Sequence, residues 1–450
     1  MDYPATAELT DGTWKNGTIT VTMGTQSAAW TIKCVEYGNP VLDGFYADPN
    51  IALFGDTFYI YPTTDGGVGW DSRSFKTFSS KDLVNWTEHD VILDLADVPW
   101  SKGKCGWAPT IIERNGKYYY YFSAENRDNT AKSLGVAVAD SPTGPFIAEE
   151  TPIAPSGTKP GQMIDPAVFI DDDGQAYLYW GNGGYYAAKL SDDMLNIEGD
   201  IETITPTNFR EASFVIKRNG TYYFMWSDND TGEPTYEVHY GTSDSPMGPI
   251  KGDTTILSYE SADEGTNIKA TGHHSVVNIP GTDEWYICYH RFNIPRYGNV
   301  TAKNSEAGNH REVCIDKMEF NADGSIKPVK PTLEGITEPV TVQETELSAK
   351  CDMSTLWNDG NIEYKAFVSN ATSEYDLYIA IYDENGVLVK VFKNEPTGSF
   401  EAEDGVYTVK AMVWEKNGMK PLCDTVEKTV LSDAPKIDIS EDNVTGSNPW

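Results

Sequence analysis

The feature that most limits what this chain can fold into is a hairpin-shaped unit that recurs five times. A short apolar run leads to a tight polar turn and then to a run dense in Tyr, Phe and Trp. The copies begin at Asp48, Ala108, Asp165, Glu211 and His273. In four of them the turn is Gly55-Asp56, Asn115-Gly116, Asp173-Gly174 or Asn219-Gly220, pairs that favour two-strand hairpins. The turns recur at roughly 45 to 65 residues, which leaves space for two further strands in each interval. Four-stranded units repeated about an axis make a β-propeller, and five copies predict five blades.

That alignment has a chemical consequence. Equivalent positions on the innermost strands of a propeller lie on one ring around its axis. Asp48, Asp165, Glu211 and His273 are therefore expected to converge on a single depression, with Ala108 as the apolar member. Three carboxyls and an imidazole in one pocket suit acid/base work. His273 and His274 are adjacent, so on a strand only one of them faces the axis, and His273 is the one in register with the repeat.

Composition narrows the function. At 450 residues two or three domains are expected. Lys plus Arg is 34 against 68 acidic residues, a net charge of −34. That balance opposes nucleic acid and anionic membranes, and fits a protein acting on neutral polymers. The cysteines (Cys34, Cys105, Cys288, Cys314, Cys351 and Cys423) show no paired metal-ligand spacing. Cys105, Cys288 and Cys314 read as small apolar strand residues, while Cys351 and Cys423 are candidates for a bridge within the last domain. No apolar run reaches membrane-spanning length. The opening Met1-Asp-Tyr-Pro-Ala5 has no signal-peptide character, which leaves an intracellular protein or one whose leader was replaced by Met.

Along the chain, residues 1–36 form an N-terminal β segment with strands at Gly17–Thr22 and Ala28–Val35. The propeller is expected over 37–335, with at most one helical turn at Ser80–Trp86. Two near-identical turns, Asp140–Pro145 and Asp244–Pro249, read as matching blade corners. Pro328, Pro331 and Pro339 mark the exit. Residues 342–431 carry closely spaced strands, among them Leu377–Val391 with an Asn-Gly turn and Gly405–Trp414, the pattern of an immunoglobulin-like sandwich. Residues 432–450 read as a tail or linker. The fold expected is all-β: a five-bladed β-propeller followed by a small immunoglobulin-like β-sandwich.

Four segments together resemble glycoside hydrolase family 43, the propeller arabinofuranosidases and β-xylosidases. They are Phe45-Tyr-Ala-Asp-Pro49, Ile164-Asp-Pro-Ala-Val-Phe-Ile-Asp-Asp-Asp-Gly174, Arg210-Glu-Ala-Ser213 and Gly272-His-His-Ser275. The resemblance covers about residues 39 to 329. It implies that Asp48 is the general base, Glu211 the general acid, and Asp165 the carboxylate that raises the pKa of Glu211 and orients it. It implies inversion, with base and acid about 6.5–9.5 Å apart around a water. Trp107 is placed as a platform for a sugar face. Arg311 is the candidate for binding substrate hydroxyls and tuning the acid, with Arg291 and Arg296 as competitors. No cofactor is required, and a structural calcium ion near His273 is compatible with the family. One departure stands out: Ala212-Ser213 occupies a place where relatives often carry Gly-Pro.

The expected activity is removal of terminal α-L-arabinofuranosyl units from plant cell-wall polysaccharide. β-Xylosidase and exo-β-1,3-galactosidase activities on the same scaffold are the alternatives, and a glycan-binding propeller is the non-enzymatic one. Neither nucleic acid nor a membrane is expected as partner. A secreted or cell-surface location suits the substrate, with the cytoplasm as the other choice.

Overall fold

A computed structural model describes the strand placement of residues 5–12, 16–23 and 26–33. It describes residues 38–342, 349–369, 371, 374–416, 421–423 and 425–432 in full. Cys34 and the tail from residue 433 lie outside the described residues. The chain forms two compact units, Met1–Val342 and Gln343–Trp450. No helix among the described residues is long and apolar enough to cross a membrane.

The five hairpins become the two inner strands of five antiparallel sheets. The first blade holds Tyr46–Phe54, Thr57–Thr64, Phe78–Ser80 and Thr87–Glu88; the second, Trp107–Arg114, Lys117–Glu125, Lys132–Ala139 and Ile147–Ala148. The third holds Ala167–Ile170, Ala176–Trp180, Tyr186–Leu190 and Ile197–Thr203; the fourth, Glu211–Arg218, Thr221–Asp228, Glu237–Ser243 and Lys251–Leu257. The fifth has three strands: Gly272–Asn278, Trp285–Phe292 and Arg311–Met318.

The aromatic runs are dense because each blade must bury both faces. Tyr61 and Phe75 pack with Tyr120 and Phe122 between the first two blades. Tyr179 and Tyr185 pack with Phe224 and Trp226 between the third and fourth. The circle closes where Ile51, Phe58 and Phe78 meet Val277, Tyr286 and Val313. Full closure leaves no inner sheet edge to protect. The two matching corners are equivalent in the structure. The Tyr61 hydroxyl donates to the Pro142 carbonyl at 2.7 Å, and the Tyr179 hydroxyl to the Pro246 carbonyl at 2.8 Å.

Several local expectations differ from what forms. Residues 81–85 make a bend rather than a helical turn. Leu83 takes φ 62°, and the Asp82 carboxylate accepts the N–H groups of Val84 and Asn85, which would otherwise start a helix. A four-residue helix, Ile294–Tyr297, lies elsewhere, capped by the Asn293 side chain. The N-terminal segment is a meander of three strands, Ala5–Gly12, Asn16–Met23 and Gln26–Lys33, rather than two. The Pro-rich exit stays packed on the propeller unit as far as Val340, whose N–H donates to the Asp82 carbonyl.

In the second unit, Lys350–Asn358, Asn361–Ser369 and Thr397–Glu401 form one sheet. Leu388–Lys393, Tyr375–Tyr382, Val406–Glu415 and Val426–Leu431 form the other. Ile362, Ile379, Val409 and Val413 fill the space between them, which makes an immunoglobulin-like sandwich. No disulfide joins Cys351 to Cys423, so the bridge considered between them is absent.

The structural key to the site is a ring of left-handed bulges. Asp48 (φ 47°), Ala108 (44°), Asp165 (58°), Ala212 (62°) and His273 (44°) each stand two residues before regular pairing of the inner strand begins, at Asn50, Thr110, Ala167, Phe214 and Ser275. The sequence alignment is thereby corrected in one place. In the fourth blade the repeat position is Ala212, and Glu211 stands one residue earlier, level with Trp107. A bulge slips the register by one residue and turns the neighbouring side chain, which the letters alone do not display.

A bulge frees a backbone N–H, and four of the five are taken by a side chain on the second strand of the preceding blade. Ala108 N–H donates to Thr63 Oγ1 (2.7 Å), Asp165 to Ser123 Oγ (3.2 Å) and His273 to Ser227 Oγ (2.9 Å). Across the closing seam Asp48 N–H donates to His290 Nδ1 (3.2 Å). The third blade has Gly181 at that place, its N–H bonded to the Ile164 carbonyl. With no side chain there, the Ala212 N–H goes to Asp165 Oδ2 at 2.9 Å. Gly181 has φ 138°, and a Cβ on it would collide with the carbonyl oxygen of Gly184. Gly181→Ala should therefore destabilise the propeller by about 2 kcal/mol or more, read from the urea midpoint; an unchanged midpoint would show that this turn tolerates a side chain.

Candidate active site

The ring brings Asp48, Asp165, Glu211, His273, Trp107 and Arg311 to the lining of one cavity of about 290 Å³. All six residues singled out from the sequence are thus together. Trp70, Asn182, Arg210, Asp230 and Thr231 join them, and sequence reasoning did not pick these out.

Asp48 is buried, which by itself would raise its pKa. The Arg311 guanidinium, 2.7 Å from its Oδ1, outweighs that cost, and the carboxyl is held well below its usual range. His273 Nδ1 lies 3.2 Å from the same oxygen. His290 Nδ1 lies 3.2 Å from both the Asp48 backbone nitrogen and Asp48 Oδ1, and its Nε2 faces Thr231 Oγ1 at 3.3 Å. Burial drives both imidazoles neutral, His273 to about 4 and His290 to about 3. Arg311 is therefore the cation that keeps Asp48 ionised.

Arg311 is itself fixed by a residue that sequence reading missed. Asp65 Oδ2 accepts both the backbone N–H and Nε of Arg311 at 3.0 Å, and Asp65 Oδ1 accepts Nη2 at 3.4 Å. Asp65 follows the second inner strand of the first blade in the run Thr64-Asp-Gly-Gly67, which reads as an ordinary loop. Arg311 opens the last strand of the fifth blade, so this pair also crosses the closing seam. Its guanidinium contacts the expected base, not the expected acid.

Glu211 lies in a different field. It is buried, and its Oε2 accepts Asn182 Nδ2 at 2.7 Å while its Oε1 accepts the Tyr236 hydroxyl at 3.1 Å. Arg210 Nε is 3.7 Å away and partly exposed. Burial prevails over that charge and those hydrogen bonds, and with Asp48 and Asp230 nearby it raises the Glu211 pKa to about 7. Asp165 is likewise raised, by burial and then by Glu211. Both carboxyls are thus pushed toward their protonated forms. Asp165 accepts the amide hydrogen of Ala212, which opposes the rise in its own pKa without reversing it.

One imidazole stands between the two ends of this arrangement. The His290 ring stacks on Tyr236 at 5.5 Å and 9°, so the side chain that receives the Asp48 amide also backs the phenol that donates to Glu211. His274 points away, into the blade, with Nε2 3.2 Å from Met225 Sδ. Trp107 is braced by its indole N–H on the Trp70 carbonyl (2.9 Å) and by Lys132 Nζ 5.0 Å from its ring. Arg291, the competitor for the arginine role, is buried against Glu312 outside the cavity. Arg296 lies over the Phe45 ring.

Calcium takes six to eight oxygen ligands. The side chains facing His273 supply one carboxylate, and that carboxylate already binds a guanidinium. Asp48 and His273 by themselves supply far fewer ligands than that number.

The comparisons with known proteins agree on one family. The family model described as "Glycosyl hydrolases family 43" matches residues 37–326. A β-D-galactofuranosidase of Aspergillus niger is 37% identical over 319 residues, covering 68% of this chain and 89% of its own. A xylosidase/arabinosidase of Bacteroides ovatus is 29% identical, covering 65% and 96%. Among solved structures, a β-xylosidase/α-arabinofuranosidase from a compost microbial metagenome, in complex with xylotriose, superposes with a TM-score of 0.54 at 31% identity, covering 65% of this chain and 96% of that one.

Two outcomes follow from these fields. Glu211 is disfavoured in its charged form by the fold, so its contribution to stability is lost as pH rises from its ordinary 4.5 through about 7. Glu211→Gln should leave stability unchanged near pH 4.5 and raise it by about 1–3 kcal/mol at pH 8, measured by denaturant unfolding; no gain at pH 8 would mean the carboxyl ionises without strain. Asp65→Asn removes a second negative charge beside Arg311 and Asp48. An acid limb of kcat/KM arising from Asp48 should move to lower pH while kcat falls, and an unmoved limb would assign Asp65 a purely structural part.

Proposed function

The chain belongs to glycosyl hydrolase family 43, and we propose that it removes terminal α-L-arabinofuranosyl units from plant cell-wall polysaccharide with inversion. The observation that carries this reading is the opposed state of two carboxyls in one cavity: Asp48 held ionised and Glu211 held protonated near neutral pH. Asp48 takes a proton from a water as that water attacks the anomeric carbon. Glu211 gives its proton to the departing glycosidic oxygen on the other side of the ring. The positive charge that builds on the sugar faces the Asp48 and Asp165 carboxylates. Trp107 supports the sugar face, while His273 and Arg311 close the floor around Asp48. Residues 37–335 are the catalytic domain in this reading, residues 342–431 an accessory sandwich, and the polymer substrate places the protein outside the cell or on its surface.

The choice of sugar draws on relatives named as arabinosidases and arabinofuranohydrolases, among them one of Bacillus subtilis at 32% identity. A second reading has its own support, because the 37%-identical relative is named a β-D-galactofuranosidase. α-L-Arabinofuranose and β-D-galactofuranose share their ring configuration and differ only in the group carried outside the ring. A β-xylosidase is the pyranoside alternative.

A panel of para-nitrophenyl glycosides separates these readings, and the arabinofuranoside should be turned over fastest. Proton NMR should show the inverted anomer first; a retained anomer would rule out the water-activating role of Asp48. On natural glycosides Glu211→Gln and Asp48→Asn should each lose about 10²–10⁴-fold in kcat. A Glu211→Gln enzyme with full turnover would remove Glu211 as proton donor.

A further inference from the structure

The second blade carries a charge pattern that the reaction does not use. The strand Lys117–Glu125 runs toward the cavity: Ser123 pairs with Trp107, and Glu125 lies two residues further on, opposite Lys132. The loop at 101–105 is fastened to this strand end. Lys102 N–H donates to the Glu125 carbonyl, and Glu125 N–H donates to the Lys104 carbonyl. Three ammonium groups then meet at the single Glu125 carboxylate: Lys132 at 3.1 Å, Lys102 at 3.2 Å and Lys104 at 3.7 Å.

Lys132 holds Oε2 of that carboxylate, and its buried Oε1 is faced only by the two looser contacts from Lys102 and Lys104. Lys132 is buried, also donates to the Thr130 carbonyl, and lies over the Trp107 ring, so it forms the internal partner of Glu125. Lys102 and Lys104 keep side chains 43% and 38% exposed. Arg127, anchored on the Ser101 carbonyl, sits on the adjoining turn. Among residues 101–105 and 125–132 the carboxylates are Glu125 and Asp128 alone, against Lys102, Lys104, Arg127 and Lys132. These two segments carry two more positive than negative charges, on a chain whose net charge is −34. Grouped cations of this kind repel one another, and an anion arriving between them relieves that repulsion.

We propose that Lys102 and Lys104 form a subsite for a carboxylate carried by the substrate, a uronic acid residue close to the branch whose terminal sugar rests in the cavity. The ammonium groups supply compact point charges on flexible stems, suited to a sugar carboxylate in more than one linkage. The subsite rests on the reading that the enzyme trims furanosyl side chains, and it lies outside the cavity that performs the cleavage.

The test uses two arabinofuranosylated xylo-oligosaccharides, one neutral and one bearing a glucuronate near the branch, with wild type and Lys102→Gln/Lys104→Gln. Wild type should favour the acidic substrate at low ionic strength, and salt should erase the preference. In the double variant the acidic-to-neutral ratio of kcat/KM should fall about five- to tenfold, through KM. A ratio that stays the same, or a wild type indifferent to the uronate, overturns the subsite and leaves the two lysines as partners of Glu125. Calorimetric binding of a glucuronate-bearing xylo-oligosaccharide without any furanosyl branch keeps the two readings apart. Charge-dependent binding there supports the subsite even if no arabinofuranoside is cleaved, and its loss in the double variant must follow.

Discussion

A backbone N–H with no partner in its own sheet governs this site. Each inner strand of the propeller opens on a left-handed bulge, and each bulge leaves one amide hydrogen that a buried environment does not tolerate unpaired. Thr63, Ser123, Ser227 and His290 meet that demand from the neighbouring blade, so four of the five bulges are locked to the second strand of the sheet before them. The fourth bulge is the exception, because Gly181 has no side chain to offer. There the acceptor is the carboxylate of Asp165. A carboxylate of the cavity thus completes a structural ring, and the backbone beside Glu211 is tied to Asp165.

The same geometry separates the roles of chemically similar groups. Burial raises the pKa of every carboxyl in the cavity, and each tenfold change in proton affinity is worth about 1.4 kcal/mol. What distinguishes them is the nearest cation. Asp48 has Arg311 at 2.7 Å, fully enclosed, whereas Glu211 has only Arg210 at 3.7 Å with solvent around it. Screening weakens the second interaction far more than the first. Arg311 reaches Asp48 because Asp65 holds both its main-chain N–H and its Nε, and His290 links the two halves by receiving the Asp48 amide and backing Tyr236.

Much of this was legible in the sequence. The alternation of apolar run, Asn-Gly type turn and aromatic run gave five blades, because turn chemistry and inter-blade packing both leave strong compositional marks. Asp48, Asp165 and His273 fell on the ring because they occupy one repeat position. Glu211 was found through its neighbourhood but set at the wrong repeat position, since a bulge shifts register without changing any letter. Ala212, where relatives often have glycine, proves to be the bulge residue itself, and φ 62° is the conformation glycine takes most readily. Asp65, Tyr236, Asn182 and His290 were not picked out for the site because their roles come from pairings across blades, with sequence separations of 25 to 246 residues. The bend at 81–85 was misread as a helical turn, since Asp82 can satisfy the same N–H groups either way.

The most direct measurement is a carbon-13 NMR titration of the protein labelled at its Asp and Glu carboxyl carbons, with Asp48→Asn and Glu211→Gln used to assign two resonances. The account predicts that Asp48 stays ionised well below pH 3.8 and that Glu211 keeps its proton to about pH 7. Two resonances titrating together in the ordinary carboxyl range would contradict it.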